Sequence, residues 1–160
     1  MIDTGTLQAT TPSDTEVQLV RAFHAPREMV YRAITEPELV RKWLHGPPKW
    51  TMEVCEIDLR EGGSFRYEWH SPDGEIMGMG GVFQEIHPNE RLVHTELFDE
   101  DWTGGETLVT TLLKEEDGQT TLTLRIRYQS QEARDKALQT GMIEGVSMSY
   151  DRMARLVTEG

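Results

Sequence analysis

Five histidines, one cysteine and a band of aromatic and sulfur side chains are the groups in this chain whose types and spacing could support chemistry. The histidines are His24, His45, His70, His87 and His94. No two of them stand at the i, i+4 helical spacing that aims two imidazoles at one zinc ion, and none has a second ligand type at a metal-binding interval, so no metal site is expected. Glu96 follows His94 by two residues, which in a strand puts both on one face. On a concave face they form an acid–base pair, with Tyr67 as a third proton-transfer candidate; on a convex face they are solvated. His70 could converge with them, but it has the opposite parity to Phe65, Tyr67 and Trp69, so solvent is its expected surrounding. Cys55 falls mid-strand without an identifiable histidine partner and reads as a small buried hydrophobe. Ser71 cannot work with His70, because adjacent strand side chains diverge. The run Met77-Gly78-Met79-Gly80-Gly81 has the glycine content of a phosphate loop, but it lies inside a strand pattern with no helix after it, and that reading fails.

A binding reading rests on the apolar groups. Phe65, Tyr67 and Trp69 share one face of a strand by period two, and Met77, Met79 and Phe83 share one face of the next. Opposed to Met142, Val146, Tyr150 and Met153 on a C-terminal helix, they could line an apolar cavity with a few polar tips, as small-molecule sites are built. The same stripes could equally be plain core packing. Trp43 and Trp50 flank Gly46-Pro47-Pro48 at the expected mouth, where that loop would act as a gate. Glu96, Asp99, Glu100, Asp101 and Glu106 surround Trp102 in one hairpin region, read as a solvated loop or as a protein-docking edge anchored by the tryptophan.

The elements that must hold these groups follow from length, composition and periodicity. At 160 residues, 37% hydrophobic and 28% charged, the chain fits one globular domain. Sixteen basic against 28 acidic side chains leave a net charge of −12, a field that repels phosphate backbones, so nucleic acid is not an expected partner. No apolar run reaches the ~20 residues of a membrane helix, and no basic-then-apolar leader opens the chain, so the cytoplasm is the expected compartment. Residues 1–13 lack periodicity and read as a flexible arm, with a single domain over 14–160. Alternation over Glu16 to Phe23 predicts a strand. Pro26 starts a short helix through Met29, Val30, Ala33 and Ile34, and Thr35 with Glu38 fits a capping box for a second, carrying Leu39, Val40, Trp43 and Leu44. Turn signals then delimit strands near 50–59, 64–70, 75–86, 91–98, 106–115 and 119–128, joined as an antiparallel meander. The glycines at 78, 80 and 81 predict a bulge or sharp bend. Beyond Ser130, Met142, Val146, Ser149, Met153 and Leu156 mark one face of a helix that would cover the sheet. The class is α+β, with about seven strands.

The segments "VRAFHAPREMVYRAITEPELVRKWL", "IDLREGGSFRYEWHSPDGE" and "GVFQEIHPNERLVHTELF" resemble the bacterial homologues of the C-terminal domain of the heat-shock-protein-90 ATPase activator, within the START-like, polyketide-cyclase-like superfamily. The resemblance spans roughly residues 16 to 158. It implies a helix-grip fold, a curved antiparallel sheet wrapped around a long C-terminal helix with a cavity between them. Where such proteins often carry Gly-Trp in the last helix, this chain has Gly145-Val146 or Gly141-Met142, which implies a larger or differently shaped cavity. The implied function is binding of a small apolar or aromatic metabolite, without a cofactor. The alternatives are a chaperone-docking module and a cyclase- or hydrolase-like enzyme using polar cavity residues; a homodimer is compatible with each.

Overall fold

The computed structural model describes residues 7–100 and 104–159. Its elements in chain order are β1 (Gln8–Thr10), β2 (Glu16–Phe23), α1 (Arg27–Thr35), α2 (Pro37–Trp43), β3 (Thr51–Ile57), β4 (Ser64–His70), β5 (Ile76–His87), β6 (Arg91–Phe98), β7 (Thr107–Glu116), β8 (Gln119–Arg127), α3 (Gln131–Leu138) and α4 (Met142–Glu159). The strands form one antiparallel sheet in the order β1-β2-β8-β7-β6-β5-β4-β3. This is the α+β, helix-grip arrangement expected from the sequence, with eight strands where about seven were read.

The added strand is β1, drawn from the segment read as an arm. It pairs Gln8 with Val20 and Thr10 with Gln18, and all three of its residues are exposed. Backbone hydrogen bonds alone hold it, so no alternation of apolar and polar residues announces it. The C-terminal helical region is likewise two helices. Gly141 takes φ +81° between α3 and α4, a conformation glycine adopts without penalty. The Ser130 hydroxyl accepts a hydrogen bond from the Ala133 N–H at 3.0 Å and caps α3. The capping box expected for α2 does not form. Thr35 donates its hydroxyl back to the Tyr31 carbonyl at 2.7 Å, and Glu36 takes the N-cap position with Pro37 behind it. A mid-helix carbonyl four residues back is a closer acceptor than the next helix's amides.

Inner-face positions run straight across the sheet. Val17, Ile126, Val109, His94 and Phe83 form one such row, and Tyr67 with Met79 belongs to another. α4 lies over this face. Met153 is fully buried, and Tyr150 sits edge-on to Phe23 and tilted against Trp43, both with centroids 5.9 Å apart. Beneath the helix, buried Arg21 of β2 reaches Asp151 of α4 at 3.0 Å. Trp43 is pinned by its indole N–H to the Ala33 carbonyl at 2.7 Å, which fixes α2 on α1.

The glycines of β5 do not make the bulge expected of them. Pairing with β4 runs unbroken from Ile76 to Val82, and the register slips later, between Phe83 and Glu85; a second slip lies between Met52 and Val54 on β3. The glycines instead make room on both faces. A Cβ on Gly78 would overlap the Arg66–Asp99 ion pair that crosses the outer face, and one on Gly81 would overlap the Thr95 carbonyl and the Phe65 ring. Gly81→Ala is therefore expected to lower stability by about 1–3 kcal/mol, seen as a reduced urea midpoint at unchanged slope. Gly145, exposed on α4, has open space around it, so Gly145→Ala should raise stability by about 0.5–1 kcal/mol, seen as a higher urea midpoint.

Candidate functional site

β6 decides the polar chemistry of the inner face. His94 is registered between Phe83 on β5 and Val109 on β7, and Glu96 is registered with Thr107. The imidazole stands edge-on to Phe65 with centroids 5.2 Å apart and against Phe83 at 6.0 Å, so both residues lie on the concave side. His94 Nε2 and Glu96 Oε2 are 2.9 Å apart. The two side chains keep 14% and 25% of their surface exposed, so solvent reaches the pair although aromatic rings surround it. His94 Nδ1 is enclosed and has no hydrogen-bond partner among the described residues.

Three buried tyrosines feel the charge of the same carboxylate. Burial raises the Tyr67 hydroxyl well above the usual phenol range, with further upward contributions from Cys55 and Glu96. Tyr150 on α4 is raised by burial and then by Glu96, and Tyr128, just past β8, is pushed up to about 12 by the same two causes. All three are neutral hydrogen-bond donors at physiological pH, so Tyr67 is a donor and not a base. Tyr128 was not singled out in the sequence, although the parity of β8, with Leu122, Leu124 and Ile126 facing inward, points it there.

The other residues read as a lining fall into three separate clusters. Phe65, Tyr67, Trp69, Met79 and Phe83 pack together with Met77 half-buried against them. Trp43, Tyr150 and Met153 belong to the packing of α4 on α1 and β2. Met142 and Val146, both half-buried, pack near Tyr128. The enclosed hollow implied by the resemblance is not among the depressions defined on the described residues. One, of about 500 Å³, lies over Gln131, Glu132, Asp135, Lys136 and Gln139 of α3. The other, of about 280 Å³, lies beside the β3–β4 turn at Glu56, Asp58, Ser64 and Arg66. Between the sheet and α4, Tyr150, Met153 and Trp43 pack with Phe23 in one cluster.

The segment between α2 and β3 covers the other end of this face. Trp69 donates its indole N–H to the Leu44 carbonyl at 2.6 Å, and Arg152 of α4 donates to the Gly46 carbonyl at 2.9 Å. Burial and the adjacent Arg152 charge lower the His45 pKa. His70 lies on the outer side as its parity requires, but it is half-buried, with Nε2 enclosed. Asp99 is held by Arg66 in a two-pronged pair at 2.7 and 2.5 Å. Trp102, read as a docking anchor, and Asp101 lie outside the described residues. No group of three or more His, Cys, Asp or Glu residues able to hold a metal ion occurs among the described residues, and no helix there is long and apolar enough to cross a membrane.

Residues 24–158 match the family model described as Activator of Hsp90 ATPase homolog 1-like protein. Among solved structures, a Rhodobacter sphaeroides protein is similar with a TM-score of 0.91 and 31% identity, over 97% of this chain and 100% of that one. A Mycobacterium smegmatis protein is similar with a TM-score of 0.84 and 27% identity, over 96% and 99% of the two chains. An Aeromonas hydrophila protein, at 20% identity and a TM-score of 0.67 over 84% and 90%, shares the fold. No curated protein matches.

Cys55 shows how the interior treats a nucleophile. It is buried on β3 in register with Tyr67, and burial pushes its thiol up to about 11 against a smaller opposing effect of Arg41. Little thiolate therefore exists near neutrality. Ellman's reagent at pH 8 is expected to leave the native thiol essentially unreacted and to titrate one thiol in urea; rapid native reaction would show that this part of the sheet is open.

Proposed function

The chain belongs to the Activator of Hsp90 ATPase homolog 1-like family, and on that premise we propose that it is a small-molecule-binding domain whose ligand lies between the inner face of the sheet and α4. The observation that carries this reading is the His94–Glu96 pair, a partly exposed polar centre set among the aromatic side chains of Phe65, Phe83 and Tyr67 on the inner face. A few polar groups that orient a ligand against an apolar wall are the usual composition of such sites. Aromatic side chains supply contact area, and the neutral hydroxyls of Tyr67, Tyr128 and Tyr150 supply donors. The segment from Leu44 to Trp50 is the gate. Two hydrogen bonds to its backbone carbonyls, each contributing roughly 0.5–1.5 kcal/mol, hold it in place, so opening requires little rearrangement of the sheet. If a reaction follows binding, proton transfer by His94 and Glu96 is the chemistry the geometry offers.

Docking on a chaperone, the alternative raised by the family's description, calls for a continuous apolar face. Among the described residues the exposed large apolar side chains are Leu59, Ile76, Val82, Leu97, Leu112 and Met148, spread over the β3–β4 turn, β5, β6, β7 and α4. That scatter supports the ligand reading over the docking one.

Native mass spectrometry of the purified protein is expected to show a small-molecule mass excess that denaturation removes. A thermal-shift panel of aromatic and apolar metabolites should contain compounds that raise Tm, since ligand at a hundred times Kd adds about 2.7 kcal/mol. Absence of both effects would overturn this reading in favour of docking.

A further inference from the structure

Resting on that reading of the crevice, we propose that it selects a ligand carrying a protonated amine on an aromatic or apolar body, with Glu96 as the counter-ion. His94 occupies Oε2 of the carboxylate, and Oε1 has no hydrogen-bond or ion-pair partner among the described residues. The two arginines that approach the inner face from β2 and α4 are engaged elsewhere: Arg21 with Asp151 at 3.0 Å, and Arg152 with the Gly46 carbonyl at 2.9 Å beside His45. Glu96 is thus a carboxylate three-quarters removed from water, with no lysine or arginine partner among the described residues. Partial burial of such a charge is unfavourable until a cation meets it.

The surroundings fit an organic cation better than a metal ion. Phe65 and Tyr67 of β4 and Phe83 of β5 pack ring against ring beside the pair, with Phe65 and Phe83 also against His94, and aromatic faces and edges beside a carboxylate recognise an alkylammonium group by charge and by cation–π attraction. One carboxylate and one histidine make an incomplete ligand set for a metal. The net charge of −12 also favours encounter with a cation and disfavours a carboxylate or phosphate ligand. A ligand hydroxyl would satisfy Oε1 by hydrogen bonding but would leave the charge uncompensated, and that difference makes the amine the favoured group.

Three probes of matched size separate the possibilities: 2-phenylethylammonium, 2-phenylethanol and 3-phenylpropanoate, titrated into the full chain at pH 7 by calorimetry and by ligand-observed NMR. The amine is expected to bind at least tenfold more tightly than the alcohol, and the carboxylate not measurably. Glu96→Gln, which keeps the shape, should bring the amine to the affinity of the alcohol and leave the alcohol unchanged. Equal binding of amine and alcohol to the wild-type chain, a comparison that needs no variant, would overturn the proposal and leave the ligand-binding reading standing. An amine preference that survives Glu96→Gln would also overturn it. Failure of all three probes to bind would count against the crevice as a ligand site and take this proposal with it.

Discussion

Two layers of side chains close over a single strand because β5 has no Cβ at positions 78, 80 and 81. On the outer face Arg66 lies across Gly78 to reach Asp99, and on the inner face the Thr95 carbonyl and the Phe65 ring press against Gly81. Any larger residue at Gly81 would separate β5 from β6, and β6 carries His94 and Glu96. The close approach of these two strands therefore sets the position of the polar pair relative to Phe65 and Phe83. Glycine weakens a strand by itself, and here that local loss is offset by tertiary contacts that only a bare backbone permits.

The inner face combines two opposed demands. α4 needs a dry surface, and Tyr150, Met153, Phe23 and Trp43 provide one. Glu96 and His94 need water or a polar partner, and they retain 25% and 14% exposure at the junction of the apolar clusters. A domain stabilised by packing alone would place Leu or Val at these positions, as β7 does with Val109 in the same row as His94. Retaining a carboxylate there lowers stability unless something compensates it, which is the physical argument for a ligand.

Much of the fold is readable from the chain because the governing interactions are local. The sequence ranges 64–70 and 91–98 coincide with β4 and β6, since alternation and flanking turns bound both strands. β1 was invisible because its pairing is made by the backbone and its side chains are exposed. The α2 capping box has a competitor that spacing does not reveal: the Thr35 hydroxyl donates back to the Tyr31 carbonyl of α1 instead of accepting from an amide of α2. Strand glycines usually mark a bulge or a sharp bend; here those at 78 and 81 serve close contacts with Arg66, Asp99 and Thr95, residues outside β5.

The candidate site divides along the same line. Period two in β6 is enough to put His94 and Glu96 side by side, and composition is enough to make the protein acidic, as both depend only on the order and type of residues. Which face of β6 is concave depends on the register of Phe83 with His94 and of Thr107 with Glu96, and on α4 folding back over that face. Tyr150 is brought against Phe23 and Trp43, and Tyr128 against Val17 and Ile126, by elements distant in sequence, through contacts that have no local signature. The sequence by itself determined the elements, their antiparallel connections and the pairing of His94 with Glu96. Tertiary structure decided that the pair is enclosed by aromatic side chains, because enclosure requires side chains from several elements to meet in space.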